Sequence, residues 1–378
     1  MNKIRRTFHP VGQGAFYSER HPGFNIVYDC GNWKNSKAAQ KVVNQSFDKN
    51  DTIDILFISH FDYDHVSMIG TLRDSVKSIK HVVLPLLHDD EKILLKAFNH
   101  FHANSAQLNQ LIDDPQAFFG DDTRVVFVNA SENSESPIDI DDNQYISLED
   151  LSSKEINSGV KIQLNTGYDW ILIPYNYENT TRSKTLKEEL TKENISIPDL
   201  ENVDFLKKNN KKIKGIYEKI DGNINENSMI VYSGPLHENH HYHIVDAYSN
   251  YLWDFPYLDH SYHHYVDIYD LCHKAACIYS GDADFNKVQI HNIFQRYWKN
   301  VGTIQVPHHG SKNSFNFRFG FHTQQESFIC PVSFGTNNTY GHPSGKVLQE
   351  LLQYENIPIA VTEKMDSTFI EIIEVEKK

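Results

Sequence analysis

Six consecutive residues, His60-Phe61-Asp62-Tyr63-Asp64-His65, crowd two imidazoles and two carboxylates into one short turn. They follow Ile53-Asp54-Ile55-Leu56-Phe57-Ile58-Ser59, an apolar run that reads as a buried strand. Donors of these two types at this density suit a pair of divalent ions. The plain alternative is a polar loop of solvated acids with a stray histidine pair. Matching segments downstream, in a fixed order, weigh against it.

Those segments are Val11-Gly12-Gln13-Gly14-Ala15-Phe16, Val27-Tyr28-Asp29-Cys30-Gly31 and Ile278-Tyr279-Ser280-Gly281-Asp282-Ala283. The last and strongest is Val306-Pro307-His308-His309-Gly310-Ser311-Lys312-Asn313-Ser314, followed by Asn338-Thr339-Tyr340-Gly341-His342-Pro343-Ser344. With the His60–His65 turn, this set resembles the metallo-β-lactamase fold. Most of that superfamily carries His where Asp62 stands. This variant resembles the soluble hydrolase domain of the competence protein ComEC and its free-standing relatives. The resemblance fails in three places: there is no membrane channel, the span 131–163 matches nothing in the family, and neither does the His- and Tyr-rich stretch 234–270.

The resemblance implies an α/β (α+β) architecture, a four-layer αββα sandwich with insertions. Motifs at both ends of 378 residues favour one domain over residues 1–378, with a helical insertion at 176–226 and a second insertion at 234–270 near the active site. No apolar run approaches the ~20 residues that span a bilayer. The N-terminus Met1-Asn2-Lys3-Ile4-Arg5-Arg6 lacks the apolar core of a signal peptide. Cys30, Cys272, Cys277 and Cys330 show no framework spacing, and Cys30 and Cys330 read as small buried residues. A reducing cytoplasm is the expected setting. The net charge of −14 argues against a sequence-independent binder of long duplex DNA, which usually shows a basic face. Lys207-Lys208-Asn209-Asn210-Lys211-Lys212-Ile213-Lys214 is the one basic block and reads as the solvated side of a helix.

Along the chain, residues 5–18 and 24–29 read as a hairpin joined at His21-Pro22-Gly23. Further strands are expected at 54–59, 80–86, 123–128, 160–165, 169–174, 227–232, 276–280, 302–306 and 327–334, with two more closing the chain. Helices are expected at 36–47, 66–73, 91–111, 183–192, 199–220, 287–298 and 346–354.

The resemblance places His60 and Asp62 on one metal and Asp64 and His65 on the other. It makes Asp282 the bridging carboxylate, and it has His308 complete the second site. His309 cannot be ranked against His308 from sequence. Many members carry a further His before the bridging Asp; His88 is the one stand-in, and it reads better as a loop histidine. The cofactors are two divalent ions, Zn²⁺ or Mn²⁺, and Asp62 in place of an imidazole tilts the first site toward Mn²⁺. Such a pair lowers the pKa of water from roughly 15.7 towards about 7. Asp64 would orient that water and take its proton. His342 either contacts a phosphate or leaving oxygen or is a loop imidazole bonded to backbone. Ser311 and Lys312 either bind phosphate or cap and solvate a turn. Asp29 is expected to accept the N–H of a ligand histidine. Glycines at 12 and 14 let backbone approach the site, and no G-x-G-x-x-G is present. His237, His240, His241, His243, His260, His263 and His264 in the second insertion fit a third metal site, a lid whose aromatics stack bases, or a packed surface subdomain.

The expected function is therefore a two-metal phosphodiesterase or nuclease acting on DNA, RNA or nucleotides. The resemblance adds a setting in bacterial anti-phage defence and a partner protein from the same operon, with no membrane association. The rival is a degenerate member serving as a binding or assembly module in a complex.

Overall fold

The computed structural model describes residues 2–103, 105–131, 145–151, 154–164, 167–177, 180–218, 228–237, 242–249, 272–321 and 326–375. The strands are β1 (Asn2–Phe8), β2 (Phe16–His21), β3 (Phe24–Cys30), β4 (Thr52–Phe57), β5 (Ser78–Pro85), β6 (Arg124–Ser131), β7 (Tyr145–Ser147), β8 (Glu155–Asn157) and β9 (Lys161–Gln163). They continue as β10 (Trp170–Tyr177), β11 (Ser228–Pro235), β12 (Tyr242–Tyr248), β13 (Ala276–Tyr279), β14 (Val301–Ile304), β15 (Ile329–Ser333), β16 (Ile357–Val361) and β17 (Phe369–Val375).

They form two sheets. The first runs β12-β17-β1-β2-β3-β4-β5-β6-β8, antiparallel as far as β3 and parallel from there. The second runs β7-β9-β10-β11-β13-β14-β15-β16, with its parallel half from β13 to β16. β6 and β10 pair briefly and join the sheets at one corner. Apart from the short parallel pair β7–β9, each sheet thus passes from an antiparallel half into a parallel β-x-β half. This structural repeat leaves no residue-level repeat in the sequence.

The four layers follow from which faces are apolar. Between the sheets lie Phe8, Tyr17, Tyr28, Trp170 and Tyr279, all buried. The rings of Tyr28 and Tyr279 stack across the interface at 5.0 Å. Helices Lys37–Ser46, Ile69–Ser75 and Ala106–Asp113 cover the outside of the first sheet through Val43, Leu72 and Leu111. Helices Ile290–Ile293, Phe317–Phe321 and Gly345–Gln353 cover the second through Ile293, Phe321 and Leu351. This is the four-layer αββα sandwich expected from the sequence. Helices Thr180–Lys192, Val203–Lys208 and Asn210–Glu218 share a separate small core with helix Asp89–His102, through Leu94, Leu190, Leu206 and Ile213. Lys207, Lys208, Lys211 and Lys212 are exposed there.

Several expected elements are corrected, among them the helix over 199–220, which is a 3₁₀ turn followed by two helices, and the helix over 66–73, which is Tyr63–Val66 and Ile69–Ser75. Residues 5–18 are two strands parted by a loop at 9–15, because the glycines at 12 and 14 turn the chain toward the site. The long helix over 91–111 is two helices, because the Ser105 hydroxyl accepts from Leu108 N and starts a new one. The helix over 287–298 is a single α-turn followed by a 3₁₀ stretch at Gln295–Asn300. Of the His- and Tyr-rich stretch, residues 238–241 and 250–271 lie outside the described residues, and with them His240, His241, His260, His263 and His264. Both attachment points, Pro235 and Ala276, sit at the strand ends opposite the ligand turn, while β12 runs along β17. Cys30, Cys277 and Cys330 are buried thiols.

One buried ion network ties the sheets together. Arg6 Nε donates to Glu19 at 2.8 Å, and its Nη1 donates to Glu371 at 2.6 Å. Ser233 and Tyr279 donate to the same Glu19 from the second sheet, at 2.7 and 3.0 Å. Burial alone would raise the Glu19 pKa, but Arg6 and its hydrogen bonds outweigh that and bring it down to about 2. A carboxylate held so low stabilises the fold fully above its unfolded pKa near 4.5, and that contribution disappears as pH falls to about 2. The loss should approach about 3 kcal/mol at ~1.4 kcal/mol per unit. Urea midpoints measured between pH 5 and pH 2 should fall steeply in the wild type and less so in Glu19→Gln. Equal slopes would assign the acid sensitivity to other groups.

Candidate metal centre

The two halves of the fold deliver equivalent parts to one place. In the first sheet, β3 ends on Asp29 and Cys30, and its parallel neighbour β4 leads into the His60–His65 turn. In the second, β13 leads to Asp282, and its parallel neighbour β14 leads to His308-His309. The turn itself is shaped by Asp62, the N-cap of a single helical turn Tyr63–Val66. Asp62 O accepts from His65 N at 2.9 Å, which brings Asp64 and His65 back over the strand end.

Asp282 is the hub. Its Oδ2 lies 3.6 Å from His60 Nε2 and 3.7 Å from His308 Nε2. Its Oδ1 lies 3.1 Å from His65 Nε2. Asp62 Oδ2 is 3.6 Å from His60 Nε2, and Asp64 Oδ2 is 3.1 Å from His309 Nε2. The donors gather around one shared carboxylate. His60 and His308 face one oxygen of Asp282, with Asp62 against His60, and His65 faces the other. Among the described residues, two trios lie close enough to hold an ion, His60 with His65 and Asp282, and Asp64 with His65 and His309.

The geometry separates the two histidines that the sequence could not rank. His309 stands with Asp64 and His65, the place the resemblance gives to His308. His308 instead faces the His60 side, where a further histidine was missed. His88 is exposed at the N-cap of helix Asp89–His102 and belongs to neither trio. Adjacent residues reach opposite sides because both have left-handed backbone, φ 48° at His308 and 54° at His309. Asp29 shares that conformation, at φ 54°. Three side-chain-bearing residues in a region that favours glycine mark a geometry over-determined by its surroundings.

The supporting shell orients each ring. Asp29 Oδ2 accepts from His65 Nδ1 at 2.8 Å, which turns Nε2 toward Asp282. Asp29 also accepts from Ser59 N and Ser59 Oγ, both at 2.7 Å, and Ser59 Oγ meets His60 Nδ1 at 2.8 Å. Ser314 Oγ holds His308 Nδ1 at 2.9 Å, and the Ser333 carbonyl holds His309 Nδ1 at 2.8 Å. Ser228 Oγ accepts from Asp282 N at 3.0 Å. Ser59, Ser228, Ser314 and Ser333 carry no signal in a single sequence. Only the strand-end position of Ser59, one residue before His60, could have flagged it. Ser311 is buried, and its Oγ accepts from Asn313 N, so it caps the turn. Lys312 is exposed.

His342 is half-buried at the rim, its ring 5.8 Å from His308 and stacked on Tyr340. Burial and the neighbouring imidazoles bring its pKa down to about 4, so its ring is neutral at pH 7. Its backbone N–H donates to Asn338 Oδ1 and its carbonyl accepts from Asn338 Nδ2, which fixes the loop.

The donor set fits a pair of divalent cations. Asp29, Asp62, Asp64 and Asp282 are all buried, four formal negative charges in one cleft. The ion pairs of Asp29, Asp64 and Asp282 among the described residues are with imidazoles. Two divalent ions would balance the four carboxylates. His60 Nε2, His65 Nε2 and Asp282 Oδ1 are buried and make no aligned hydrogen bond, although the last two face each other at 3.1 Å. Buried polar atoms left so are costly unless a cation takes their lone pairs. Burial opposes charge on every group here. The imidazoles nevertheless hold Asp64 below and Asp282 well below the ordinary carboxylate range. Asp282 and Asp29 in turn hold His65 well above the ordinary imidazole range.

Residues 11–102 match the family model of the metallo-beta-lactamase superfamily, a span that includes the glycine loop, Asp29 and the His60–His65 turn. That stretch is similar to the superfamily, whose members usually are metal-dependent hydrolases. Among solved structures, the metallo-beta-lactamase fold protein YhfI from Bacillus subtilis is similar at 13% identity and a TM-score of 0.19, over 47% of this chain and 54% of that one. The chain thus spans about half the length of that protein. No curated protein matches the sequence. Among the described residues, no helix is long and apolar enough to cross a membrane.

Proposed function

We propose that this chain is a two-metal phosphodiesterase acting on nucleic acids or nucleotides, with Zn²⁺ or Mn²⁺ as its ions. The observation that carries the reading is the gathering of His60, His65 and His308 on Asp282, with Asp62 against His60 and Asp64 against His309. His60, Asp62 and His308 would hold one ion, and Asp64, His65 and His309 the other. When bound, such a pair supplies Lewis acidity and water with a pKa lowered towards about 7. Asp29 and Ser59 keep His65 and His60 in the tautomers that present Nε2. Asp64 is placed to orient the attacking water and receive its proton. His342, neutral at the rim, is placed to hydrogen-bond an oxygen of the phosphate. Zn²⁺ and Mn²⁺ both accept this mix of imidazole and carboxylate, and the three carboxylates Asp62, Asp64 and Asp282 favour the harder Mn²⁺.

The rival reading, a degenerate binding module, rested on a missing histidine for the first ion and on the large insertions, and His308 supplies a donor on that side. The cytoplasmic setting rests on the cysteine pattern and the N-terminal sequence, while the defence context and a partner from the same operon rest on the resemblance to stand-alone ComEC-like proteins. Purified protein reconstituted with Mn²⁺ or Zn²⁺ is expected to hold close to two ions per chain by elemental analysis. It should hydrolyse bis(p-nitrophenyl) phosphate, and chelation should lower its melting temperature as the four carboxylates lose their counterions. Less than one ion per chain, with no hydrolysis of this diester, single-stranded DNA, RNA or a cyclic nucleotide, would leave the binding module standing.

A further inference from the structure

A cavity of about 290 Å³ opens beside the metal centre, between the 10–13 loop, the segment 32–39 and the loop 335–340. Its size lies at the small end of the range for ligand sites, roughly 300–1,000 Å³. Trp33 and Tyr340 form its aromatic wall, meeting edge to face at 6.1 Å and 87°. Tyr340 is 56% exposed, a large aromatic left open at the cavity. The wall leads to the reaction centre: Tyr340 stacks on His342 at 5.9 Å, and His342 lies 5.8 Å from His308. The charge of Asp64 also reaches the Tyr340 hydroxyl, adding to burial in raising its pKa.

The polar groups on the cavity divide into spent and free. Asn32 is spent on the carbonyls of Val11 and Gln13 and on Ser36 N, and Asn338 is spent within its own loop. Among the described residues, the Asn337 amide makes no hydrogen bond, and Gln13 accepts one from Gly335 N through Oε1 while its NH₂ donates none. Two aromatic rings set at right angles, with unspent amide donors and acceptors beside them, suit a heteroaromatic ring that stacks on one of them and hydrogen-bonds on its edge. Lys34, exposed beside Trp33, adds a cation at the rim.

We infer that this cavity is a nucleobase subsite, taking one unpaired base of the substrate next to the phosphate that meets the metals. The inference rests on the phosphodiesterase reading and narrows it to nucleotides or single strands. It also accounts for a nucleic-acid enzyme with a net charge of −14, since stacking against the Trp33–Tyr340 corner replaces the basic face that phosphate binding would need.

The test is calorimetric and needs no turnover. The metal-loaded protein is titrated with the four common nucleoside 5′-monophosphates and with ribose 5-phosphate, which shares the phosphate and sugar but has no base. At least one nucleotide is expected to bind about tenfold or more tightly than ribose 5-phosphate, and to quench tryptophan fluorescence. Trp33→Ala should bring the two ligands within about twofold, while Trp33→Phe keeps most of the preference. Tyr340→Leu, at an exposed position, serves as the second variant should Trp33→Ala melt early, and should also erode the preference. Equal binding of nucleotides and ribose 5-phosphate by the wild type overturns the subsite, as does a preference that survives both variants. Turnover of bis(p-nitrophenyl) phosphate separates the two readings. Hydrolysis without base preference removes only the subsite. Base preference without hydrolysis removes the phosphodiesterase.

Discussion

Asp64→Ala should lower phosphodiester turnover by on the order of 10³ or more, the scale of a lost proton-transfer group, while leaving the fold intact. The two halves of that expectation have separate causes. Asp64 Oδ2 sits 3.1 Å from His309 Nε2 within the set that would hold the second ion, so its loss removes a ligand and the proton acceptor together. Stability is spared because the side chain is one of four buried carboxylates that repel one another, and His309 keeps its bond to the Ser333 carbonyl. Turnover and melting temperature, measured side by side on the metal-loaded protein, check both. A folded Asp64→Ala chain with wild-type turnover would put the chemistry elsewhere. The two-ion assignment adds a sharper expectation. His308→Ala and His309→Ala should each reduce the ion content from about two to about one per chain. In the His308 variant the ion left should be the one Asp64 binds, so that adding Asp64→Ala removes it. An unchanged ion content in His308→Ala would return that side of the site to the sequence reading, in which no further histidine reached it.

How much of this was legible beforehand depends on whether a residue announces itself by type. The His60–His65 turn, Asp282 and the His308-His309 pair are dense in donors and follow apolar runs, so their delivery to strand ends could be read from periodicity alone. The partition of His308 from His309 could not, because it depends on two successive left-handed residues that no side-chain pattern encodes. The serines that orient the rings are equally silent, since serine is common at turns for local reasons. The break of the first long strand was hidden for another cause: apolar Val11, Ala15 and Phe16 continue the strand pattern through a loop whose backbone turns at Gly12 and Gly14. The insertion at 234–270 resisted because its aromatic and imidazole content fits several environments equally. Its one described strand, β12, owes its place to pairing with β17, a long-range contact.

Those glycines also explain how a loop in the first hairpin supports the metal centre, and they set the last expectation. Gly31 N donates to Ala15 O at 2.8 Å, and Ala15 N donates to Asp64 O at 3.0 Å, so the backbones of three segments are bonded in series beneath the ligand turn. A methyl group on Gly31 would lie 2.4 Å from the carbonyl carbon and oxygen of Asp64 and 2.5 Å from that of His65. These are backbone atoms between two ligand side chains, and they cannot swing aside as a flexible side chain would. Relief requires the Asp64–His65 turn to rise away from Asp282. A shift of about 1 Å in reacting groups is worth roughly 100-fold in rate, and overpacking a tight interior costs about 1–3 kcal/mol. Gly31→Ala should therefore lose turnover on the 100-fold scale, bind its ions more weakly, and show a smaller rise in melting temperature when Mn²⁺ is added. Gly215→Ala is the control: it lies in a helix with open space around the added methyl, where alanine favours the helical backbone. A Gly31→Ala chain with full ion content and wild-type turnover would mean the ligand turn is not held by this backbone contact. A loss in both variants would point to general destabilisation.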